Sequence, residues 1–438
     1  MRWLLAIFLI SSLTARPFYE LPPVSYSESE LSPALRETIR RLRALPAPPT
    51  TGKQAELAYL QSVLDELQIS ADSQVLVFSK TSLQNSLISP QTPRALYFSP
   101  KAYLGWIPGG VIELTLIDAR LGPVFFTLEP AESGKSKVLR AESCLQCHAT
   151  SRTEGVPGVL VRSVAPDADG HLILRAGSSH SDDRSPLSER WGGWYVTGHS
   201  PLPHLGNRTL EDSGEAIIRF EAQPQKALEK LDSHFDTSTY LRPTSDIVAL
   251  LVLEHQCRLQ NLLTKALLDY RRLLWFQQSL HAELDPGDPD GLIYRRTRQN
   301  AEEIVRALLF CEEASLGGAG THGHPAFPEN FFRQLPRTST GAHLGELQLR
   351  AHIFKNRCSY MVYSPAFQNL PALSRTLILQ RLAEILHAPE PPENYRHLKK
   401  RERERLAHIL RETLPDFPDL TSQNGSSEDS DTTLPPRP

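Results

Sequence analysis

The pentapeptide Cys144-Leu145-Gln146-Cys147-His148 constrains this chain more than any other stretch. Two thiols three residues apart fall within one helical turn, and the histidine that follows is delivered to the same spot. That spacing suits thioether bonds to the two vinyl groups along one porphyrin edge, with the histidine beneath the iron. C-x-x-C-H is the attachment sequence of a c-type haem. The chain has only 5 cysteines in 438 residues, so two at this spacing with an adjoining histidine are informative. Three other chemistries use a C-x-x-C pair. A structural zinc site wants a second pair of ligands at similar spacing, and Cys257, Cys311 and Cys358 are solitary. A thioredoxin-like redox pair wants a strand running into a helix N-terminus, which Lys137 to Ser143 suggests only weakly. A plain disulfide is the third. The expectation is one haem c (iron) per chain, bound through Cys144, Cys147 and His148, with His148 as the proximal iron ligand.

The N-terminus agrees with that reading. Met1-Arg2-Trp3, the apolar run Leu4 to Ile10 and the small residues ending at Ala15 read as a cleaved signal peptide over residues 1–15. The run is shorter than the ~20 residues of a membrane span. Haem is attached to C-x-x-C-H outside the inner membrane, so a periplasmic or otherwise exported protein is expected. The formal charge of −3 argues against nucleic acid as a partner. No later stretch reads as a stable membrane span, since the most apolar one, Ile247 to Leu253, meets Glu254 and His255 at once.

The pattern of the chain predicts an α+β protein: a small antiparallel sheet domain carrying the haem motif, followed by a mainly α-helical domain. Residues 16–73 form an N-terminal arm and helices, with Arg16 to Ser32 read as loose or disordered. Helices are expected from Ser32-Pro33 to Leu45 and from Lys53 to Leu67. Residues 74–207 form the β-rich haem c domain, with short strands at Val75–Phe78, Arg94–Phe98, Tyr103–Ile107, Val111–Ile117, Val124–Leu128, Val159–Val164 and Leu172–Arg175. Arg190 to Gly198 closes it. A linker (208–242) precedes the helical domain (243–420), which Pro243-Thr244-Ser245-Asp246 opens with capping residues and an early acid. Further helices are expected near 298–310, 372–386 and 399–414, and residues 421–438 read as a disordered tail.

This arrangement differs from a compact helical cytochrome c, and the only methionine besides Met1 is the distant Met361. The sheet-with-haem pattern is similar to the haem-binding PAS-type domains of exported c-type sensors. With its single C-x-x-C-H, its Arg190-Trp-Gly-Gly-Trp-Tyr-Val-Thr-Gly198 and its Thr244-Ser-Asp-Ile-Val-Ala-Leu-Leu-Val-Leu-Glu-His-Gln256, most of the chain resembles a family of exported bacterial proteins known only as cytochrome c domain-containing. The resemblance implies haem binding and names no substrate.

The sixth iron position decides what such a haem can do. Filled by a protein ligand, it suits electron transfer; open, it admits a small molecule. His199 and His204, in a proline-punctuated loop, and His255, on an apolar helical face, are the candidate sixth ligands, ahead of His180 and Met361. For each, ordinary structure or surface is the commoner fate. Trp191, Trp194 and Tyr195 are candidate haem walls or sheet core. Arg162 and Arg190 are candidate propionate partners or salt bridges. His322-Gly323-His324 reads as a loop rather than a metal site, and Lys399 to Arg405 as a solvated helix face able to dock an acidic partner. The favoured reading is a periplasmic c-type cytochrome passing electrons to a redox partner protein. The alternatives are a peroxidase-like haem oxidoreductase and a haem-based redox or gas sensor.

Overall fold

The computed structural model describes residues 16–46, 52–130, 134–212, 214, 219–280 and 285–418. The expected signal peptide (1–15) and disordered tail (421–438) lie outside the described residues. The fold is α+β. A seven-stranded antiparallel sheet and a two-stranded ladder combine with helices that dominate the second half.

Arg16 to Ser32 is not loose. Tyr19, Val24 and Tyr26 are buried, and the Tyr26 hydroxyl donates to the Pro123 carbonyl at 2.7 Å. A few aromatic residues anchor a segment whose proline and serine content reads as unstructured. The Ser32 side chain then caps α1 (Pro33–Ala44), with proline in the first turn, and α2 (Lys53–Glu66) follows.

The sheet is a meander of β1 (Val75–Val77), β2 (Arg94–Ser99), β3 (Ala102–Trp106), β4 (Ile112–Asp118), β5 (Gly122–Pro130) and β6 (Ser136–Arg140). The short helix α3 (Leu145–His148), which carries the motif, leaves from the β6 edge. The ladder of β7 (Val161–Val164) and β8 (Ser178–Ser181) comes next. Finally β9 (Trp194–Tyr195) returns to pair with β1 at the opposite edge of the large sheet. Leu172–Arg175 is not a strand. Leu172 makes one isolated bridge to Pro166, and a 3-10 turn begins at Leu174. The pairing partner of β7 lies further on, past the positive-φ Gly177.

Asp246 accepts from the backbone N–H groups of Val248 and Ala249 and opens α4 (Ile247–Ser279). The helix has 33 residues and is about 50 Å long. From Ile247 to Asn261 every residue is buried, so this half is a core helix wrapped on all sides rather than a one-faced surface helix. Among the described residues, the α-helices that follow are α5 (Leu292–Leu308), α6 (Ala326–Phe331), α7 (Pro365–Gln368), α8 (Ala372–His387) and α9 (Lys400–Thr413). One continuous cluster of buried apolar side chains runs from Tyr19 through the sheet and α4 to Phe417. The segment between sheet and α4 joins it: Leu231 is buried, and the Tyr240 hydroxyl donates to the Pro93 carbonyl at 2.7 Å.

Candidate functional site

Strand alternation builds the site. In the register of the sheet, Leu96, Gly105, Glu113 and Thr127 stand in one row and Phe98, Tyr103, Thr115 and Phe125 in the next. Side chains opposite one another in antiparallel strands share a face, so both rows lie on the same side. The alternate positions in β4, Ile112, Leu114 and Leu116, are buried on the other. Against the first face lies a cavity of about 160 Å³ that opens to solvent, smaller than the roughly 300–1,000 Å³ usual for a cofactor cleft. Its lining is largely apolar and includes Leu96, Phe98, Phe125, Val159 and Trp194, with Leu253 and Cys257 contributed by α4. Cys144, Cys147 and His148 all border it.

The motif is held at the β5 end. The His148 ring packs on Phe125, with centroids 5.0 Å apart, and its Nδ1 donates to the Gly158 carbonyl at 2.9 Å. That bond leaves Nε2 as the nitrogen available to a metal. Iron- and zinc-bound histidines are commonly oriented in this way, through the ring nitrogen that does not ligate. Burial lowers the His148 pKa and so favours the neutral imidazole, outweighing the Gly158 carbonyl, which acts in the opposite direction. Gly158 is itself fixed from α4. Asn261 accepts from the Val159 N–H at 2.9 Å and donates to the Val159 carbonyl at 2.8 Å. A side chain on Gly158 would collide with Asn261, since an added Cβ falls 2.3 Å from its Oδ1.

Asn261 is therefore a positioning residue for His148. We expect Asn261→Ala to lower stability by about 2 kcal/mol in urea unfolding, because two buried backbone groups lose their partners. A loss below about 0.5 kcal/mol would show that this brace contributes little.

The thiols suit attachment better than the alternatives. Cys144 is half-buried and Cys147 exposed, and both are free. Burial, and secondarily the Glu113 carboxylate, push the Cys144 thiol up to about 11. A thiol–disulfide oxidoreductase needs the opposite shift, although β6 does lead into α3 here. Among the described residues, the only three-membered group of metal-ligand side chains is Asp167, Asp169 and His171 in an exposed turn, which includes neither motif cysteine. Among the described residues, no second zinc-type pair accompanies Cys144 and Cys147.

The fit of a haem rests on the donor set and on orphaned polar atoms. His148 offers a nitrogen without a partner, and the two thiols border the same largely apolar cavity. The buried Nε atoms of Arg94 and Arg162, both in the lining, have no hydrogen-bond partner. Arg94 reaches over Gly105 to pair with Glu113. Burial would raise the Glu113 carboxyl, but Arg94 and neighbouring donors outweigh it and hold Glu113 below its ordinary value. Arg94, Glu113, Tyr103 and Cys257 went unnoticed as site residues in the sequence. A glycine inside a strand, Gly105, and the polar positions of β4 were the available signals.

None of the candidate sixth ligands lines this cavity. His199 pairs through its backbone with His322 and lines a different cleft with His324 and Asp246. His204 is buried edge-on against Trp191, its Nδ1 accepts from the Gly206 N–H at 3.1 Å, and burial pulls its pKa down to about 4. His255 has both ring nitrogens engaged, with Asp183 at 3.1 Å and Ser359 at 2.7 Å. That Ser–His–Asp trio has the outline of a nucleophile triad, yet all three residues are wholly buried and Arg258 also pairs with Asp183. It is a core network without an entrance. Met361 is also buried in the core, away from the cavity. His180 sits opposite Arg162 in the β7–β8 ladder, and its buried Nε2 has no partner.

The Arg-Trp-Gly-Gly-Trp-Tyr segment divides its roles. Trp194 walls the cavity, while Trp191 is buried at positive φ in the core and Tyr195 donates to the Pro90 carbonyl. Gly192 lets β7 approach, because an added Cβ would lie 2.3 Å from the Val164 carbonyl. Arg190 is buried against Glu254 at 2.8 Å, leaving Arg162 as the one of the two candidate propionate partners that borders the cavity. In the basic run near the C-terminus, Arg403 donates to the Leu398 and Ala388 carbonyls and Glu402 pairs with Arg357. Half of that run is structural. Compared with known proteins, the sequence matches no family model, no curated protein and no solved structure.

Proposed function

We propose that this chain is an exported c-type cytochrome that holds one covalent haem and exchanges electrons with a redox partner. The observation that carries the reading is the placing of Cys144, Cys147 and His148 together on the wall of an apolar cavity, with His148 oriented through Nδ1 and free at Nε2. Cys144 and Cys147 would form the thioethers and His148 the proximal bond. The group so held supplies a one-electron ferric–ferrous couple. Cys147 is exposed, which brings one edge of the site to the surface where a partner can approach. An export route, and with it a periplasmic location, rests on the N-terminal leader pattern.

A second reading is favoured by one observation. Among the described residues lining the cavity, His148 is the only histidine and no methionine is present. An iron without a second protein ligand binds small molecules, as a gas sensor or oxidoreductase requires. The described lining holds no distal histidine for peroxidase-like chemistry. Carbon monoxide separates the two readings. We expect reduced, haem-loaded protein to bind it and shift its Soret band. A low-spin spectrum in both oxidation states, unchanged by carbon monoxide, would instead leave electron transfer alone.

A further inference from the structure

His199 and His322 come from segments far apart in sequence and meet across an isolated antiparallel bridge. Both bonds of the bridge are made. The His199 N–H donates to the His322 carbonyl at 2.8 Å, and the His322 N–H to the His199 carbonyl at 3.0 Å. Residues paired in this way carry their side chains on the same side of the ladder. The two imidazoles accordingly stand near-parallel, 13° between planes, with centroids 6.4 Å apart. Neither ring has a hydrogen-bond or ion-pair partner among the described residues. His322 is exposed and His199 half-buried, at a cleft that shares no lining residue with the motif cavity.

The backbone beneath the rings is fixed while the rings are free. The Thr197 N–H donates to the Ser245 carbonyl at 2.7 Å and the Thr197 carbonyl accepts from Ile247 at 3.0 Å, which ties the first strand to the start of α4. Gly198 has φ +106°, and an added Cβ there would lie 2.4 Å from the His322 carbonyl, so glycine is what lets the strands close. On the other strand the Asp246 carboxylate accepts from the His324 N–H. A Cβ on Gly323 would lie 2.5 Å from that carboxylate. Two neutral nitrogen donors are thus held face to face at a set separation.

Imidazole suits zinc, copper and nickel, whereas calcium and magnesium take oxygen ligands. With metal–nitrogen bonds of about 2.0–2.1 Å, two imidazoles on one tetrahedral ion have centroids roughly 5 Å apart. The observed separation is near enough for small side-chain rotations to close the pair on an ion. The charge of the cleft does not oppose this, since Asp72, Glu229 and Asp246 line it against Lys230 and Arg242. We propose that His199 and His322 bind a divalent transition-metal ion of the zinc–copper class, with water completing its coordination. His324 lines the same cleft, but its Nδ1 accepts from the Ala326 N–H at 3.2 Å, so Nε2 carries the proton and has no lone pair for a metal. The pair is the cross-strand one. Among the described residues only Asp167, Asp169 and His171 have three donors already within 4.8 Å of one another, and that exposed turn is the competing site.

The test uses the full-length, untagged chain with Zn2+ as the probe. Wild type, His199→Ala, His322→Ala, His324→Ala and His171→Ala are dialysed against graded Zn2+, and the bound ions per chain are counted. All five keep the motif cysteines, so zinc held there cancels in the comparison. Losing a group that merely orients a ligand costs about 10–100-fold in metal affinity, and losing a ligand should cost at least as much. We expect H199A and H322A each to weaken one bound ion at least about tenfold, with H324A and H171A leaving that ion in place. Zn2+ should also raise the urea midpoint of wild type but not that of the H199A/H322A double variant.

Equal zinc binding by wild type and the double variant overturns the site. An ion that survives in H199A but is lost in H322A and H324A belongs to the His322-Gly323-His324 loop, which also overturns it. So does an ion lost only in H171A, which assigns the zinc to the Asp167 turn.

Discussion

Covalent haem disappears completely when Cys144→Ala and Cys147→Ala are combined: this is the expected result with the largest effect. Each thiol supplies one thioether, and no other cysteine borders the motif end of the site; Cys257 reaches the cavity from α4, where burial pushes its thiol far up. Each single variant keeps one possible bond and is expected to retain haem in reduced yield. His148→Ala keeps both thioethers but loses the proximal ligand, so its haem should be attached and spectrally altered. These outcomes are separable from misfolding. Neither Cys144 nor Cys147 belongs to the buried apolar cluster, and substitutions outside the core usually cost under ~0.5 kcal/mol. Urea unfolding of the haem-free double variant should therefore match that of wild type prepared without haem. Covalent haem on the double variant would end the reading of the motif, and with it the proposed function.

The motif was legible because it is local: three side chains within five residues. The meander from β1 to β5 was legible for a similar reason, as apolar runs bounded by turns. Leu172–Arg175 was misread because a run of suitable residues does not say which later segment will pair with it, and the positive φ at Gly177 moved the pairing onward. The sixth-ligand candidates show the same limit at longer range. His255 lies on an apolar helical face, as its spacing indicated, but Asp183 and Ser359 claim its two nitrogens, one 72 and the other 104 residues away in sequence. No periodicity reports such partners. The cavity itself is assembled from β1 to β5, β7, β9, α3 and α4, so Arg94 and Tyr103 become site residues only once the register is known. Arg162 and Arg190 were equivalent as sequence and differ in the fold, because Glu254 occupies one of them.

That pair gives the second large effect. Arg190 and Glu254 are buried at 1% and 0% side-chain exposure and meet at 2.8 Å. Arg190 also donates to the Ser185 and Asp183 carbonyls, tying the segment before the Trp-Gly-Gly-Trp motif to α4. Burial dominates at Glu254. It pushes the carboxyl up to about 7 despite Arg190, and Oε1 has no hydrogen-bond partner. A folded pKa raised above the unfolded value means that stability is greatest below the unfolded pKa, near 4.5, and declines as pH rises through about 7. Arg190→Met removes the charge that restrains this shift. The carboxyl is then neutral in the folded variant at both pH 5 and pH 8. At pH 5 it is neutral in the folded wild type too, so the expected loss is about 1–2 kcal/mol, the share of the missing carbonyl bonds. At pH 8 the wild type holds it ionised beside Arg190 while the variant must take up a proton, which adds about 1.4 kcal/mol for the one pH unit above the wild-type value. Urea unfolding at the two pH values measures both numbers. Adding Glu254→Leu to Arg190→Met should restore more than half of the stability lost at pH 8, because the cost of protonating a buried carboxyl goes with it. Equal losses at pH 5 and pH 8 with no rescue would mean that the Arg190 side chain matters for its packing and not for the charge it balances.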